Sequence, residues 1–461
     1  MTMEEVYKEL VEIVGADFVS DQAEERYMYS RDPGTMGPAA PDLVAMPGSA
    51  EEVSDIMKLA SSRGVPVVPM GAGLVLSGLS RALKGGIVLD LKRLDKIIEV
   101  NETSRYAVVE AGVSQGILQS YLKKHHPGLK HSVPDAPPIA TIGGNVLIHG
   151  SGHLSAAGGF HSEMLNGLEV VLPTGRVVKT GACSVSPYWF SRSPLPDLSG
   201  LFLGFHGTTG IVTKLAIKLY PDLPYNDVDI FCAEDPEIIP DAINRIAGVQ
   251  VAEDLLAWMT PKPEWASGFQ MINVNYGARS KRELTMKRDL VAESVNKYID
   301  ERTGGFMPLP SDMKGRFLEA PQKSLAVFAD VRKGGGFEYV GAIMPIELFP
   351  QAYRKGLEIS EKREVTYSLG ARVVGLGHCM MFFYAYAFNR ADPEDMKRAQ
   401  EALEETNTEV LAMGGIPWKA EVPAQKQIMK QMDPGSFELL RKIQKLLDPQ
   451  GIMNPGNWEP D

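Results

Sequence analysis

Cysteine is scarce in this sequence, and that scarcity excludes two classes of protein. There are 3 cysteines among 461 residues. Cys183, Cys232 and Cys379 stand far apart, without a CxxC pair. This spacing excludes a disulfide framework and an iron–sulfur cluster held by the cysteines of this chain alone, and it is typical of a reducing compartment.

Long apolar runs are also missing. None approaches the roughly 18–20 residues that a membrane-spanning helix needs. The longest, MMFFYAYAF, suits a buried strand. The N-terminal stretch, MTMEEVYKEL, is acidic and amphipathic, whereas a signal peptide has a basic start followed by an apolar stretch. We therefore expect a cytoplasmic protein.

Basic clusters are lacking as well. The formal net charge is -11, from 47 Lys and Arg against 58 Asp and Glu, and no basic run is interleaved with aromatic residues. Because a surface that binds a polyanion needs the opposite sign, we do not expect nucleic acid as a partner. The length predicts two domains or one elaborated domain.

Strands and helices alternate along the first half of the chain. Ser49 and Glu52 form a capping box that predicts the start of a helix, and Gly64 ends it. VPVVP, GGIVLDL and RYAVVEAGV are predicted strands, and GLEVVLPTGRVVKTG predicts a hairpin. This pattern is consistent with an α+β nucleotide-binding domain that ends near Pro221 to Pro224, followed by a second region of strands and long helices.

The stretch VVPMGAGLVLSGLS begins as a strand and breaks into Gly71 and Gly73. Glycines just after a strand are typical of a backbone that approaches a phosphate closely. A Walker A loop would need a lysine after Gly78, and a Rossmann fingerprint would need a third glycine where Leu76 stands. Taken by itself, the loop is equally well explained as a structural turn.

A second glycine-rich segment changes this interpretation. Thr141 to Asn145 reads TIGGN, and HGSGH follows it. Two such segments, each flanked by strands, suit an extended ligand with a pyrophosphate in its middle. A third segment, Gly210 to Thr213, offers backbone N–H and C=O groups to the edge of a heterocycle such as a flavin.

In this order the motifs resemble those of the FAD-linked oxidases of the vanillyl-alcohol oxidase / p-cresol methylhydroxylase type, which include the glycolate and D-lactate dehydrogenases. The resemblance extends from about Pro41 to Pro221 and resumes at the C-terminal end. It is carried by PDLVAMPGSAEEVSDIMKLA, VPVVPMGAG, ATIGGN, GLEVVLPTGRVVKTG, LFLGFHGTTGIVTK and LDPQGIMNPG.

The resemblance implies an α+β fold with a two-part FAD-binding domain of the p-cresol methylhydroxylase type, residues 1–222 and 413–461, and an inserted α+β cap domain for the substrate, residues 223–412. It implies non-covalent FAD, because the stretch from Met70 to Leu74 lacks the histidine that tethers the flavin in other members. The implied FAD-binding residues are Pro69, Met70, Gly71, Ala72, Gly73, Leu74, Ser77, Pro134, Asp135, Thr141, Gly143, Gly144, Asn145, His149, Gly150, His161, Gly210, Ile211, Val212 and Asn454.

The order Pro134-Asp135, Gly144-Asn145 and Gly159-Phe160-His161 follows the alkylphenol branch of the family, with His149 where that branch usually has arginine. The resemblance implies that Asp135 lies near the flavin N5 as a candidate acid/base. His161 is a candidate to contact the isoalloxazine or a substrate oxygen, and equally a packed, hydrogen-bonded histidine.

Trp418-Lys419 stands where this branch has a Tyr-Arg pair that stabilises a phenolate. Trp cannot donate as a phenol does, and Lys is a point charge, so Lys419 suits an anionic group better than a phenol. The alternative is an internal ion pair between Lys419 and Glu421. Further pocket candidates are Arg372 and the two tyrosines Tyr384 and Tyr386, for which sheet packing is the alternative.

The hydroxy-acid branch carries histidines and an aspartate in a cap motif that binds metal or carboxylate. The stretch VVGLGHCMM has Val373, Leu376 and Met380 at those positions, so we expect no metal site there. His149 and His153 have the i,i+4 spacing of a metal pair, but the glycines between them disfavour a helix.

Three functions stay open at this point. The first is an FAD dehydrogenase that takes hydride from a small hydroxylated or benzylic-type substrate and passes the electrons to a protein acceptor, such as an electron-transfer flavoprotein, an iron–sulfur subunit or a cytochrome subunit, within a homo- or hetero-oligomer. A 2-hydroxy-acid dehydrogenase is its nearest alternative. The second is a flavin-carrying electron-relay subunit, and the third is a transferase like the alkylglycerone-phosphate synthases.

Overall fold

The computed structural model describes residues 2–460 apart from residues 33, 77, 261–266, 302, 308, 310 and 319–333. The helices in this part of the chain are Met3–Val14 (α1), Ala23–Met28 (α2), Ala50–Arg63 (α3), Gln115–His125 (α4), Ile142–Leu147 (α5), Ser155–Gly158 (α6), Ile239–Gly248 (α7), Lys281–Asn296 (α8), Ser311–Leu318 (α9), Phe349–Arg363 (α10), Pro393–Met413 (α11), Val422–Gln431 (α12) and Pro434–Leu447 (α13). None of them is long and apolar enough to cross a membrane.

The strands form four sheets. They are Val19–Ser20 (β1), Leu43–Ala45 (β2), Val67–Met70 (β3), Ile87–Asp90 (β4), Ile97–Asn101 (β5), Tyr106–Glu110 (β6), Leu129–Lys130 (β7), Leu165–Val171 (β8), Val177–Gly181 (β9), Ile211–Lys218 (β10), Tyr220–Pro221 (β11), Tyr225–Ala233 (β12), Asp254–Met259 (β13), Gln270–Ala278 (β14), Gly304–Met307 (β15), Gly335–Met344 (β16), Thr366–Val374 (β17), Cys379–Asn389 (β18) and Ile416–Trp418 (β19).

The first region contains a four-stranded sheet in the order β1-β2-β4-β3 and a five-stranded antiparallel sheet in the order β5-β6-β10-β8-β9. Helix α3 starts as the capping box predicts, since the Ser49 hydroxyl accepts from the Glu52 N–H at 3.1 Å. It ends at Gly64, whose φ of 64° is the left-handed conformation that glycine adopts most easily. The predicted hairpin is also confirmed as β8 and β9.

The cap consists of one eight-stranded antiparallel sheet in the order β15-β12-β14-β13-β17-β18-β16-β19. Helices α7, α8, α10 and α11 contribute buried apolar residues to a core against one face of this sheet. The other face contacts the FAD-binding region, where Met381 of β18 accepts from the Ser151 hydroxyl and Ala385 packs on Leu76. The cap and the first region therefore meet across this second face.

The last segment of the chain returns to the first region. The Val67 N–H donates to the Ile452 carbonyl at 2.8 Å, and the Asn454 N–H donates to the Val67 carbonyl at 2.8 Å. These bonds add a short parallel bridge beside β3, the strand that leads into the first glycine loop. Residues from both ends of the sequence thus form one surface.

The two candidate pocket tyrosines of β18 point to the opposite side from the one expected. Tyr384 and Tyr386 are fully buried in the core between the sheet and the cap helices. Tyr386 hydrogen-bonds Thr406 of α11 at 2.7 Å, whereas the Tyr384 hydroxyl is buried without a partner among the described residues. The alternation of the strand instead directs Met381, Phe383 and Ala385 toward the FAD-binding region.

This orientation predicts different responses to removing each hydroxyl. Tyr386→Phe loses a buried hydrogen bond and should lower the free energy of unfolding by about 1 kcal/mol. Tyr384→Phe removes an unsatisfied polar atom and should leave stability unchanged or raise it. Denaturant titration checks both. A changed KM in either variant, with stability unaffected, would place that hydroxyl in the substrate pocket after all.

Candidate active site

The first glycine loop, which follows β3, has free backbone N–H donors. The N–H groups of Ala72, Gly73 and Leu74 have no hydrogen-bond partner within the described part of the chain, and all three residues are partly exposed. Gly73 has a φ of 68°, in the left-handed region, and the nearest atom to a Cβ built there is the Met70 Sδ at 3.4 Å. Consecutive unpaired N–H groups on a turned backbone form the concave donor set that binds phosphate.

The other predicted cofactor segments meet this loop. A Cβ on Gly71 would collide with the Thr141 hydroxyl, and a Cβ on Gly207 would lie 2.7 Å from the Pro69 ring. Thr141 caps the short helix α5 by accepting from the Gly144 N–H at 3.2 Å. The glycine-rich segments therefore lie against one another without room for side chains between them.

The C-terminal segment completes this surface. The Asn454 side-chain amide donates to the carbonyls of Leu79 and His206 at 2.8 and 2.7 Å. Its Oδ1 atom is buried and has no partner in the structure as described. An orphaned acceptor at a residue that is 1% exposed is a site where a ligand N–H or hydroxyl fits.

The third segment, Gly210 to Val212, lies at the start of β10. Ile211 and Val212 pair with β8, but the ladder between β10 and β6 begins only at Lys214 opposite Glu110. Pro69 and Met70 lie on β3, while Pro134 and Asp135 lie in the loop after β7. Ser77, the remaining predicted contact of the first loop, lies outside the described residues.

His161 is packed into the protein. Its Nε2 hydrogen-bonds the Ser132 hydroxyl at 2.8 Å, and its Nδ1 contacts the Asn145 side-chain oxygen. Burial lowers the pKa of His161 to about 3, so the ring is neutral at physiological pH. The His161 N–H donates to the Gly150 carbonyl at 2.7 Å. The residue before Gly150, His149, hydrogen-bonds the Ser162 hydroxyl through its Nδ1 at 2.8 Å.

Asp135 and Arg372, two residues predicted independently, form an ion pair between the FAD-binding region and the cap. The Arg372 Nη2 atom lies 2.8 Å from Asp135 Oδ2. The same guanidinium donates from Nε and Nη2 to Asp254 of β13 at 3.0 and 2.9 Å. The other Asp135 oxygen lies 2.8 Å from His153 Nε2. Four charged or titratable groups thus form one chain across the domain junction.

The charges in this row of four side chains fix the protonation states of Asp135 and Arg372. Burial acts to raise the pKa of Asp135, but Arg372 and His153 outweigh it and hold the pKa well below its usual range. Burial likewise acts to lower the pKa of Arg372, and the two carboxylates raise it above its usual value. Asp135 is therefore ionised at any physiological pH and accepts a proton poorly.

An aromatic wall lies on the same face of the cap sheet. Tyr339 of β16 stacks on Phe383 of β18 with ring centroids 5.2 Å apart, and Trp418 meets Tyr339 edge-on at 6.1 Å. The Lys419 Nζ lies 4.7 Å from the Tyr339 ring centroid and 4.3 Å from that of Trp418. This arrangement places one cation on an aromatic surface.

The alternative for Lys419, an internal ion pair with Glu421, is not formed among the described residues. The Glu421 carboxylate is buried and accepts from the Asn407 side chain at 2.5 Å. Lys419 adopts a φ of 52°, which breaks the extended geometry that would have aligned the two side chains. Among the described residues Lys419 has no ion-pair partner, and burial lowers its pKa to about 8.

The residues at the metal positions of the hydroxy-acid branch do not face this site. Val373 and Met380 are fully buried in the core on the helix side of the cap sheet. His149 and His153 do not share a helix, because the structure has a loop between α5 and α6. The described residues contain no group of three or more side chains suited to hold a metal.

Three contributors were not predicted as site residues from the sequence: Asp254, Tyr339 and Phe383. Asp254 and Tyr339 lie on cap strands without a motif, and Phe383 directly precedes Tyr384, the first of the two tyrosines that were chosen. His153 was considered only as a metal ligand. A buried aspartate in an otherwise apolar strand, as in DLLAWM, is the one signal that pointed to a charged partner.

Two family models match the chain. The FAD binding domain model matches residues 41–181, and the model for the C-terminal domain of FAD linked oxidases matches residues 329–458. Together with the fold and the glycine-rich surface, these matches define a flavin-dependent oxidoreductase. The chain belongs to the FAD-linked oxidoreductases.

Individual relatives agree with this assignment. An uncharacterized FAD-linked oxidoreductase of Mycobacterium tuberculosis is 27% identical over 98% of this chain and 99% of its own. The glycolate oxidase subunit GlcD of Bacillus subtilis is 24% identical over 99% of this chain and 97% of its own. A p-cresol methylhydroxylase structure with substrate bound shares the fold, with a TM-score of 0.87 at 20% identity over 100% of this chain and 97% of that one.

The residues present fit FAD. The free N–H groups of the first loop suit its pyrophosphate, the tight glycine contacts leave the backbone accessible, and the orphaned Asn454 oxygen supplies a buried acceptor. When bound, FAD supplies an acceptor for two electrons and a proton, as hydride. The protein itself contributes the binding surface, the row of ion-paired side chains and the aromatic wall.

Gly73→Trp should abolish FAD binding, because the indole would fill the space that the pyrophosphate needs. A Cβ at Gly73 meets only Met70, with its Sδ at 3.4 Å, so the strain imposed by the positive φ is the main cost to the protein itself. Flavin absorbance per polypeptide measures the effect. Gly64→Trp is the matched control, since Gly64 has a similar φ of 64° with open space around it. Full flavin content in Gly73→Trp would refute the phosphate assignment.

FAD should be released by acid denaturation and leave the polypeptide colourless. The stretch from Met70 to Leu74 has no histidine or cysteine that could tether it. Precipitation followed by absorbance of the supernatant measures the released fraction. Flavin that stays with the precipitated chain would mean a covalent bond elsewhere.

Proposed function

We propose that this protein is an FAD-dependent dehydrogenase. In this proposal, hydride leaves a hydroxyl-bearing or benzylic-type carbon of a small organic substrate for the flavin N5, and the electrons pass on to a protein acceptor. One observation carries the proposal: the aromatic wall of Tyr339, Phe383 and Trp418, with Lys419 upon it, lies on the cap face that meets the FAD-binding region.

The wall suits a planar or apolar substrate body. Phe383 packs so closely on its neighbouring strand that a Cβ at Gly370 would collide with its ring, which holds the ring in place. The Trp418 indole N–H donates to the Ile148 carbonyl of the FAD-binding region, which fixes the wall relative to that region. Rings held this way offer contact area with little loss of side-chain entropy.

Lys419 suits an anionic group at one end of the substrate. Its ammonium group lacks a carboxylate partner among the described residues, and Glu338 and Asp32 act on it only at longer range. A half-buried cation without a counter-ion is stabilised when an anion binds. The cation–aromatic contacts keep it in place until then.

The partner and the location remain part of the proposal. The family resemblance is the basis for proposing a protein acceptor, such as an electron-transfer flavoprotein, an iron–sulfur subunit or a cytochrome subunit. It is also the basis for proposing a homo- or hetero-oligomer. A cytoplasmic location rests on the scarce cysteines.

A 2-hydroxy-acid substrate is the second candidate, and the named Bacillus subtilis relative, a glycolate oxidase subunit, favours it. Arg372 is the cation that would hold the carboxylate, yet both neighbouring aspartates already occupy it. Val373 and Met380 replace the histidines of that branch and pack in the core. These two observations favour a substrate that binds the aromatic wall over a 2-hydroxy acid.

Anaerobic mixing of the purified flavoprotein with a panel of substrates tests the proposal. The panel contains benzylic alcohols with and without a carboxylate, alkylphenols, and 2-hydroxy acids. Bleaching of the flavin absorbance band by a benzylic alcohol is the expected result. Bleaching by 2-hydroxy acids alone would select the second candidate, and an oxidised flavin throughout would favour an electron-relay subunit.

Lys419→Met should raise the KM for an anionic substrate at least tenfold, about 1.4 kcal/mol, while flavin content stays constant. In the unmodified protein the same KM should rise above about pH 8, because Lys419, whose pKa burial lowers to about 8, loses its charge there. The variant should show no such rise.

The control is Lys442→Met, which removes an exposed lysine of α13 paired with Glu438. A neutral substrate analogue should bind Lys419→Met and the unmodified protein equally well. If Lys419→Met lowers thermal stability and leaves the KM unchanged, the lysine is structural.

A further inference from the structure

We infer that His153 accepts the proton that the substrate loses during oxidation, and that Asp135 is a positioning residue for His153. The inference rests on the proposed function, since it names the proton acceptor of that reaction. It differs from the sequence expectation, in which Asp135 itself exchanged the proton.

The hydrogen bond between the two residues fixes the histidine tautomer. His153 Nε2 lies 2.8 Å from Asp135 Oδ1. An ionised carboxylate only accepts hydrogen bonds, so Nε2 carries the hydrogen, and Nδ1 of the neutral ring keeps a lone pair. The described residues place no partner on Nδ1. The ring is 18% exposed, so a small molecule can reach it.

The backbone holds this ring in place. The His153 N–H donates to the Val133 carbonyl at 3.0 Å. The preceding residue, Gly152, touches the same carbonyl so closely that a Cβ there would collide with it. The HGSGH segment therefore presents one histidine at a set position beside Asp135, and its glycines have a structural reason.

Asp135 is unsuited to accept the proton itself. The Arg372 guanidinium, anchored on Asp254, lies 2.8 Å from its second oxygen. A carboxylate held between a guanidinium and an imidazole stays ionised. The same anion stabilises an imidazolium at His153, which is the role of a carboxylate behind a histidine base.

The other histidines near the site are held neutral. Burial lowers the pKa of His161 to about 3 and that of His131 to about 4. Both nitrogens of His161 are already hydrogen-bonded, and His131 bonds Gln115 at 3.0 Å. The titratable groups that interact with His153 are therefore Asp135, which is linked through Arg372 to Asp254, and the neutral His161.

The step balances with the flavin as oxidant. For a hydroxyl-bearing carbon, the C–H bond breaks and its hydride, with two electrons, goes to the bound FAD. The O–H bond breaks and its proton goes to His153 Nδ1, while the C=O double bond forms. The substrate loses two electrons and two hydrogens, and the imidazolium later returns its proton to water through its exposed edge.

Nitrogen-15 NMR of the histidine-labelled flavoprotein tests the tautomer without any substrate. The His153 resonances are assigned by their absence in His153→Gln. We expect Nε2 to carry the ring hydrogen and Nδ1 to carry none. A ring that is doubly protonated up to pH 9, or that carries its hydrogen on Nδ1, overturns the inference.

Single-turnover flavin reduction with the best substrate of the panel tests the chemistry. His153→Gln should slow it by roughly 10²–10⁴-fold and remove the fall in rate at low pH. Asp135→Asn should slow it within the same range and move that fall to lower pH, because a neutral amide no longer favours the imidazolium. Flavin content shows that each variant is folded.

The control is His126→Gln. His126 pairs with Glu102 at 2.6 Å, and neither residue is part of the candidate site. It should leave the rate and its pH profile unchanged. An unchanged rate in His153→Gln, with the panel substrate still active, would overturn the inference and leave the proposed function standing. If no substrate reduces the flavin, the proposed function fails, and the NMR result alone decides the tautomer.

Discussion

The buried guanidinium of Arg372 joins the two halves of the molecule, and the candidate site is arranged around it. Asp254 holds it from within the cap sheet, and Asp135 holds it from the FAD-binding region. Removing one partner of a buried ion pair typically costs about 3–5 kcal/mol, because the remaining charge is left without compensation. This cation therefore contributes to the position of the cap, together with the Trp418–Ile148 and Ser151–Met381 contacts.

Much of the fold was predictable because its signals are local. The glycine loop after β3, the capped helix at Ser49 and the hairpin of β8 and β9 each occupy a short stretch whose residues specify their own backbone. The sequence left the orientation of β18 open between pocket lining and sheet packing, for a physical reason. Both of its faces are buried, so the alternation of MMFFYAYAF contains no polar face to indicate which residues point toward the flavin.

Some residues of the candidate site were named from the sequence, but their arrangement was not predicted. Asp135, Arg372 and Lys419 were each candidates, yet the pairing of Arg372 with two aspartates joins strands and loops that are distant in the sequence. Lys419 shows a second limit. Its positive φ ends the extended run after Trp418, so a rule that puts alternate residues on one face paired it with Glu421, which the structure directs elsewhere.

The return of the last segment to β3 has a consequence for the order in which the protein can be assembled. On the ribosome, the glycine loop is made early, while Ile452 and Asn454, which bond to Val67 at the base of that loop, are made after the whole cap. The nascent first half therefore lacks one wall of its cofactor site throughout synthesis of the cap. We therefore expect tight flavin binding only after residues 452–454 have joined β3, once the cap has been made.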